Sequence, residues 1–322
     1  MYKLNRPWHQ SDINNYLTCP LMAYFRTYLE MEEPGRHPNA VTGSCLHWAI
    51  QLWHDENQPA WSRERINRFI DNLFEETILG KDPMTLMHSD GGSPPPVSWE
   101  WSKDSREVLL EKAQECFFMY TCQPYNIEAE VIHSELFFRF SYWGLDFEGS
   151  MDQIRKMPDD SLELWDFKFS AFTPHSEFLQ RAIQFSLYSY GVWKGTLYHT
   201  DDESRPVEKS AYKLGFIPDR CVWYHLPHLI PYKRNSAYGK KGEIKGDPRY
   251  YFTLPQHRVI FYMKNVRKII SQFHRGVFYK AGKQAGACNG FCHYHDACAN
   301  IIDGLPVETT RETTAEDFAA IL

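Results

Sequence analysis

Apolar side chains recur at helical spacing between Ser11 and about Leu29, at Ile13, Leu17, Leu21, Tyr24, Phe25 and Tyr28, which puts them on one face of a helix. Ser11 or Asp12 can cap its start, and Pro20 should kink or split it. A second helix is predicted from Ile66, Phe69, Ile70, Leu73, Phe74 and Ile78, and a third from Val108, Leu109, Phe117 and Tyr120. The stretch 80–100 between them contains D-G-G-S-P-P-P-V and reads as a loop.

From Ile127 the pattern changes to strands: I-E-A-E-V-I-H-S-E-L-F-F-R-F-S-Y-W, then L-D-F-E-G-S-M-D-Q-I-R, then S-L-E-L-W-D-F-K-F-S. The turns at Trp143-Gly144 and Pro158-Asp159-Asp160 are short enough for hairpins, so the three strands should form an antiparallel meander. A helix is expected from about Glu177 to Trp193, and another strand over 211–217. Residues 231–250 form a basic loop, and a last amphipathic helix carries Val259, Tyr262, Val266, Ile270 and Phe273 inward. There is no internal repeat.

Composition narrows the class. The chain has 322 residues, 43% hydrophobic and 16% aromatic, enough for a sizeable core and against global disorder. A net charge of −6 argues against coating nucleic acid with the whole surface and leaves room for a local basic groove. No run reaches the roughly 18 apolar residues of a membrane span, and the start M-Y-K-L-N-R-P-W-H-Q has no apolar signal core. The expectation is a cytoplasmic protein without a membrane partner. Of its eight cysteines, Cys45, Cys116, Cys122 and Cys221 read as buried thiols. Cys19, in Y-L-T-C-P, and Cys288, Cys292 and Cys298 near the other end could together hold a zinc ion or an iron–sulfur cluster.

On the third strand Leu162, Leu164, Asp166 and Lys168 share one face, and Trp165, Phe167 and Phe169 the other. Asp152, across a hairpin, lies near enough to Asp166 for both carboxylates to hold one hard cation. Alone, D-x-K is more often a structural ion pair. It gains weight from Gly43-Ser44-Cys45-Leu46-His47 upstream, Gly149-x-x-Asp152, and Gln184-x-x-x-Tyr188 on the following helix, all in order.

With these motifs the chain resembles the PD-(D/E)XK nuclease superfamily, and within it the RecB-like exonucleases with an iron–sulfur cluster, such as the AddB and CRISPR-associated types. The resemblance covers Ser11–Tyr28, Gly43–His47, Glu135–Tyr188 and Cys288–Cys298. It implies a restriction-endonuclease-like α/β mixed sheet flanked by helices, in a single domain over 1–322. An iron–sulfur subdomain would be built from 11–30 and 285–300. It further implies His47, Asp152 and Asp166 as ligands of Mg²⁺ or Mn²⁺, Lys168 as catalytic lysine, and Gln184 and Tyr188 beside the site. Glu135 falls on the rim. The resemblance points the four cysteines to a structural 4Fe–4S cluster, although the Cys288–Cys292 spacer is one residue longer than usual and His293 or His295 offer substitute ligands. The implied activity is metal-dependent hydrolysis of DNA, single-stranded or from an end, in recombination or repair, with a helicase as possible partner. A catalytically silent nucleic-acid-binding subunit and a zinc hydrolase are the competing classes. Lys233, Arg234, Lys240, Lys241, Lys245 and Arg249, interleaved with Tyr232, Tyr238, Tyr250 and Tyr251, are a candidate phosphate track.

Overall fold

Three long strands form the spine of the fold, and one rung across them carries most of the chemistry. The computed structural model describes residues 2–31, 33–83, 85, 94–170, 183–201, 205–233, 240–279, 294, 297–298 and 300. Its helices are α1 (Gln10–Thr18), α2 (Pro20–Ala23), α3 (Pro38–Asp55), α4 (Arg63–Ile78), α5 (Arg106–Thr121), α6 (Pro124–Ile127), α7 (Ile183–Lys194) and α8 (Gln256–His274). The strands are β1 (Glu130–Tyr142), β2 (Leu145–Lys156), β3 (Leu162–Lys168), β4 (Thr196–Tyr198), β5 (Arg220–His225) and β6 (Arg249–Phe252). They make a mixed sheet in the order β4-β1-β2-β3-β5-β6. Among the described strands of this sheet, β3 and β5 are the one parallel pair.

Helices cover both faces. On one, α1, α2, α7 and α8 pack on Leu136, Phe138, Met151, Ile154 and Leu164. On the other, α3, α4 and α5 pack on Trp165, Phe167, Val222 and Tyr224. The alternation of β3 is as the sequence predicts, with Leu164 in the first core and Trp165 and Phe167 in the second. The meander and both hairpins also match.

Pro20 splits the N-terminal helix. It opens α2 at a position that needs no backbone N–H, and Cys19 before it is extended at φ −159°. The cap differs from expectation. His9 is the first residue outside α1, and Asp12 reaches back to accept its backbone N–H at 2.9 Å while pairing with Arg6 at 2.8 Å.

The strand expected over 211–217 is absent. Tyr212 makes a single bridge to Leu197, and Gly215 at φ +78° turns the chain away before Pro218. The sheet is completed instead by β5, whose Cys221 enters one core and Val222 and Tyr224 the other, a strand buried on both sides that shows little polar alternation. Cys122 is exposed, since it lies at the C-terminal cap of α5 rather than on its inner face. Among the described residues no helix is long and apolar enough to cross a membrane. The expected start of α7 at 177–182, the 86–93 part of the loop, Arg234 and Tyr238 lie outside the described residues.

Candidate active site

Glu135 and Asp152 face each other across β1 and β2, bracketed by the pairs Ser134–Gln153 and Leu136–Met151. Continuing the β2–β3 register past Gln153–Trp165 brings Asp166 to the far side of Asp152. One rung thus carries three carboxylates.

At this rung both strands change face. Met151 and Ile154 lie in the same core although three residues apart, and their cross-strand partners are Leu136 and His133. Glu135 lies beside this change of face, two residues past the register shift between Val131 and His133, with φ +47°, a left-handed conformation rare for a residue with a side chain and found preferentially at functional sites.

His47 comes from α3, on one face. Pro38 starts that helix, and the His37 Nδ1 accepts the Asn39 N–H at 3.1 Å. The helix lies close on β3, so that a Cβ at Gly43 would meet that of Phe169 at 3.6 Å. His47 Nε2–H donates to the Phe167 carbonyl at 2.8 Å, which leaves Nδ1 aimed at the carboxylates, 3.5 Å from Asp152 Oδ2. Asp152 Oδ2 also accepts the Phe167 N–H at 2.6 Å.

Gln184 and Tyr188 come from α7, on the opposite face. Close approach of α7 is set by small residues, since a Cβ at Gly191 would press on the Phe138 ring at 3.0 Å and one at Gly149 would meet the same ring at 3.1 Å. Gln184 Nε2 donates to Asp166 Oδ1 at 2.7 Å and to the Tyr188 hydroxyl at 2.8 Å. Lys168 Nζ lies 2.9 Å from Oδ1 and 2.8 Å from Oδ2 of Asp166. His47, Asp152, Asp166, Lys168, Gln184 and Tyr188 thus meet at one site on the sheet.

The charges are strongly coupled. Burial alone would push Asp152 up, but His47 and Lys168 hold it below the ordinary carboxylate range. Glu135 is pushed up to about 8 by burial and by the Asp152 charge beside it. Burial carries Asp166 to about 6 against the pull of Lys168. For His47 burial acts downward, and Asp152 outweighs it and raises the imidazole to about 9. Lys168 likewise resists burial because Asp166 and Asp152 raise it, so its ammonium persists at neutral pH.

This donor set suits a divalent cation. Ligand atoms of His47, Glu135 and Asp152 all lie within 4.8 Å of one another. His47 Nδ1 is buried with no hydrogen-bond partner, while its other nitrogen is committed to a backbone carbonyl, the arrangement that fixes the tautomer of a metal-ligating imidazole. Glu135, a rim residue by sequence, belongs to this group. Asp166 stands outside it, its carboxylate taken by Lys168 and Gln184. The signal for Glu135 was available in the sequence, because Glu135 and Asp152 stand equally far from the turn at Trp143-Gly144.

The cysteines are only partly within view. Cys19 and Cys298 are buried in the same apolar cluster, and the chain ends around them are joined by Tyr16 Oη–H to Val277 O at 2.6 Å and Tyr294 Oη–H to Met31 O at 3.3 Å. Cys288, Cys292, His293 and His295 lie outside the described residues. In the basic segment Lys233 pairs with Glu111, and Arg249 pairs with Asp247 while covering the Tyr125 ring at 3.8 Å.

No curated protein gives a significant sequence match to the chain. The sequence profile of one family does match, over residues 7–299, which takes in every motif described above. Its members are generally nucleases that use divalent metals. The chain belongs to the PD-(D/E)XK nuclease superfamily.

Proposed function

We propose that this protein is a metal-dependent deoxyribonuclease, acting on single strands or from a DNA end, with His47, Glu135 and Asp152 as metal ligands and Asp166 beside them. The observation that carries the reading is the meeting of an imidazole nitrogen turned toward Asp152, three carboxylates on one rung and a charged lysine. A bound Mn²⁺ or Mg²⁺ would supply positive charge to a phosphate oxygen and acidify a water molecule.

The protein's own groups do the rest. Lys168, kept cationic by Asp166, serves as a donor to the attacking water and to the charge developing on phosphate, and not as a general base. Gln184 holds the Asp166 carboxylate, and with it the ammonium, in place. Tyr188 stays protonated, burial raising its hydroxyl well above the ordinary range, and so remains a neutral hydrogen-bonding group beside the strand being cut.

A 4Fe–4S cluster on Cys19, Cys288, Cys292 and Cys298 completes the proposal, as a tie between chain ends. The burial of Cys19 and Cys298 in one apolar cluster supports it. Delivery of the substrate by a helicase or recombination partner extends the same reading.

The test is cleavage of end-labelled linear, single-stranded and circular DNA by anaerobically purified protein with Mn²⁺ or Mg²⁺, alongside Lys168→Ala. Linear or single-stranded DNA should be degraded and circular duplex spared, with Lys168→Ala slower by about 100-fold or more. Absence of metal-dependent cutting, or cutting indifferent to the substitution, sinks the nuclease reading.

A further inference from the structure

β3 and β5 run parallel, and Lys168 stands beside His225, the last residue of β5. His225 is 3% exposed. Its Nε2 lies 3.0 Å from the Ser170 carbonyl, and because a carbonyl can only accept, Nε2 carries the proton. Lys168 is therefore bracketed. The carbonyl before it, on Phe167, takes a hydrogen bond from the His47 ring, and the carbonyl two residues after it takes one from His225. Two imidazoles from opposite directions hold the end of the strand that carries the catalytic ammonium.

The same turn grips a second element. His225 N–H donates to Pro248 O at 2.7 Å, Lys245 N–H to His228 O at 2.9 Å, and His228 Nδ1 sits 3.3 Å from Asp247 O. The His225 and His228 rings meet edge to face with centroids 4.5 Å apart. Segment 240–249, which carries Lys240, Lys241, Lys245 and Arg249, is thus hung on His225 at the end of β5 and on His228 just after it.

We propose that His225 is a positioning residue for Lys168, and that the His225–His228 turn links the catalytic strand to a phosphate-binding segment over 240–249. The link rests on the nuclease reading above. His225 acts through the backbone of β3 and touches neither metal ligand nor phosphate, and burial keeps its ring neutral, pushing it down to about 4, so the N–H donor is constant through the neutral range. A substrate strand that draws segment 240–249 toward its phosphates would pull on the turn that sets Lys168, coupling binding to placement of the lysine.

The experiment is single-turnover cleavage by the full chain with Mn²⁺, comparing wild type with His225→Leu, His225→Asn and His228→Leu, with Mn²⁺ affinity and thermal midpoint measured for each. His225→Leu should lower the saturated rate about 10-fold at unchanged Mn²⁺ affinity, and His225→Asn, which keeps an N–H donor, should recover most of it. His228→Leu should instead raise the substrate concentration needed for half-maximal rate and flatten its salt dependence. Equal saturated rates in folded His225→Leu and wild type overturn the positioning role. So does a loss in His225→Leu that tracks lost Mn²⁺ affinity and is not recovered by asparagine, since that pattern marks general structural damage. A His228→Leu protein with unchanged substrate dependence and salt slope overturns the link to segment 240–249. A wild-type protein that cuts no DNA removes the nuclease reading itself, a result none of the variants can produce.

Discussion

Three carboxylates on one rung repel one another, and the protein relieves this by retaining protons. In the absence of a cation, His47 titrates near 9 and Glu135 near 8, so both hold a proton at pH 7. A cation must displace those protons, and its affinity should rise with pH between 7 and 9 and level off above. Calorimetry in two buffers of different ionisation enthalpy should register between one and two protons released per Mn²⁺ at pH 7. Glu135→Gln should release fewer and bind at least 10-fold more weakly. Legibility at this scale was uneven. His47, Asp152, Asp166, Lys168, Gln184 and Tyr188 stand in spaced motifs that a reader can count. His225 carries no motif, and its role follows only from the parallel pairing of β3 with β5.

At the scale of elements, α3, α5, α6 and β2 are joined by the fully buried Arg155. Its guanidinium donates to Gln153 Oε1, Asn126 Oδ1 and the Tyr120 hydroxyl and lies 3.7 Å from the Trp165 ring centroid. Tyr120 in turn meets His54 Nε2 at 2.8 Å. Burial, with the Arg155 charge nearby, pushes His54 down to about 2. The unfolded chain takes up this proton near pH 6.5 and the folded one does not until about 2. Stability from His54 is therefore whole above pH 6.5 and falls by up to about 1.4 kcal/mol per pH unit below it. His225 adds a similar slope from 6.5 to about 4. Urea denaturation from pH 7 to 5 in wild type and His54→Gln should isolate this part as a difference in slope, because Glu135 and Asp166, both raised by burial, contribute slopes of opposite sign over the same range. Arg155→Ala, leaving three buried partners unmet, should cost about 3–4 kcal/mol. Helix periodicity made α4, α5 and α8 readable from one face of apolar residues each. Two-residue alternation missed β5 and β4, the first buried on both faces and the second only three residues long.

Among the described residues, the N-terminal segment packs against the end of α8 and the residues just after it. Tyr2, Tyr24, Tyr28, Phe273 and Phe278 form one aromatic cluster, mostly edge to face with Tyr24 and Tyr28 stacked, and Leu21 N–H donates to Tyr279 O at 3.3 Å. A metal cluster joining Cys19 to three distant cysteines would act on the same junction as a cross-link, restricting the unfolded chain. Cys19→Ser should accordingly abolish bound iron and sulfide and lower the thermal midpoint by about 5 °C or more. A variant that keeps iron, or loses it with no change in midpoint, contradicts the cluster's structural role. The aromatic packing of the N-terminal segment on residues 273–278 was not readable, because its partners lie some 250 residues apart in sequence.

At Glu135 the side chain meets both a strained φ of +47° and burial beside the Asp152 charge, which penalises its carboxylate. Glycine adopts that backbone freely. Glu135→Gly should therefore unfold at the same urea concentration as wild type or a higher one, by up to about 1 kcal/mol, while binding Mn²⁺ poorly. On the nuclease reading, durability and turnover favour different amino acids at this one position.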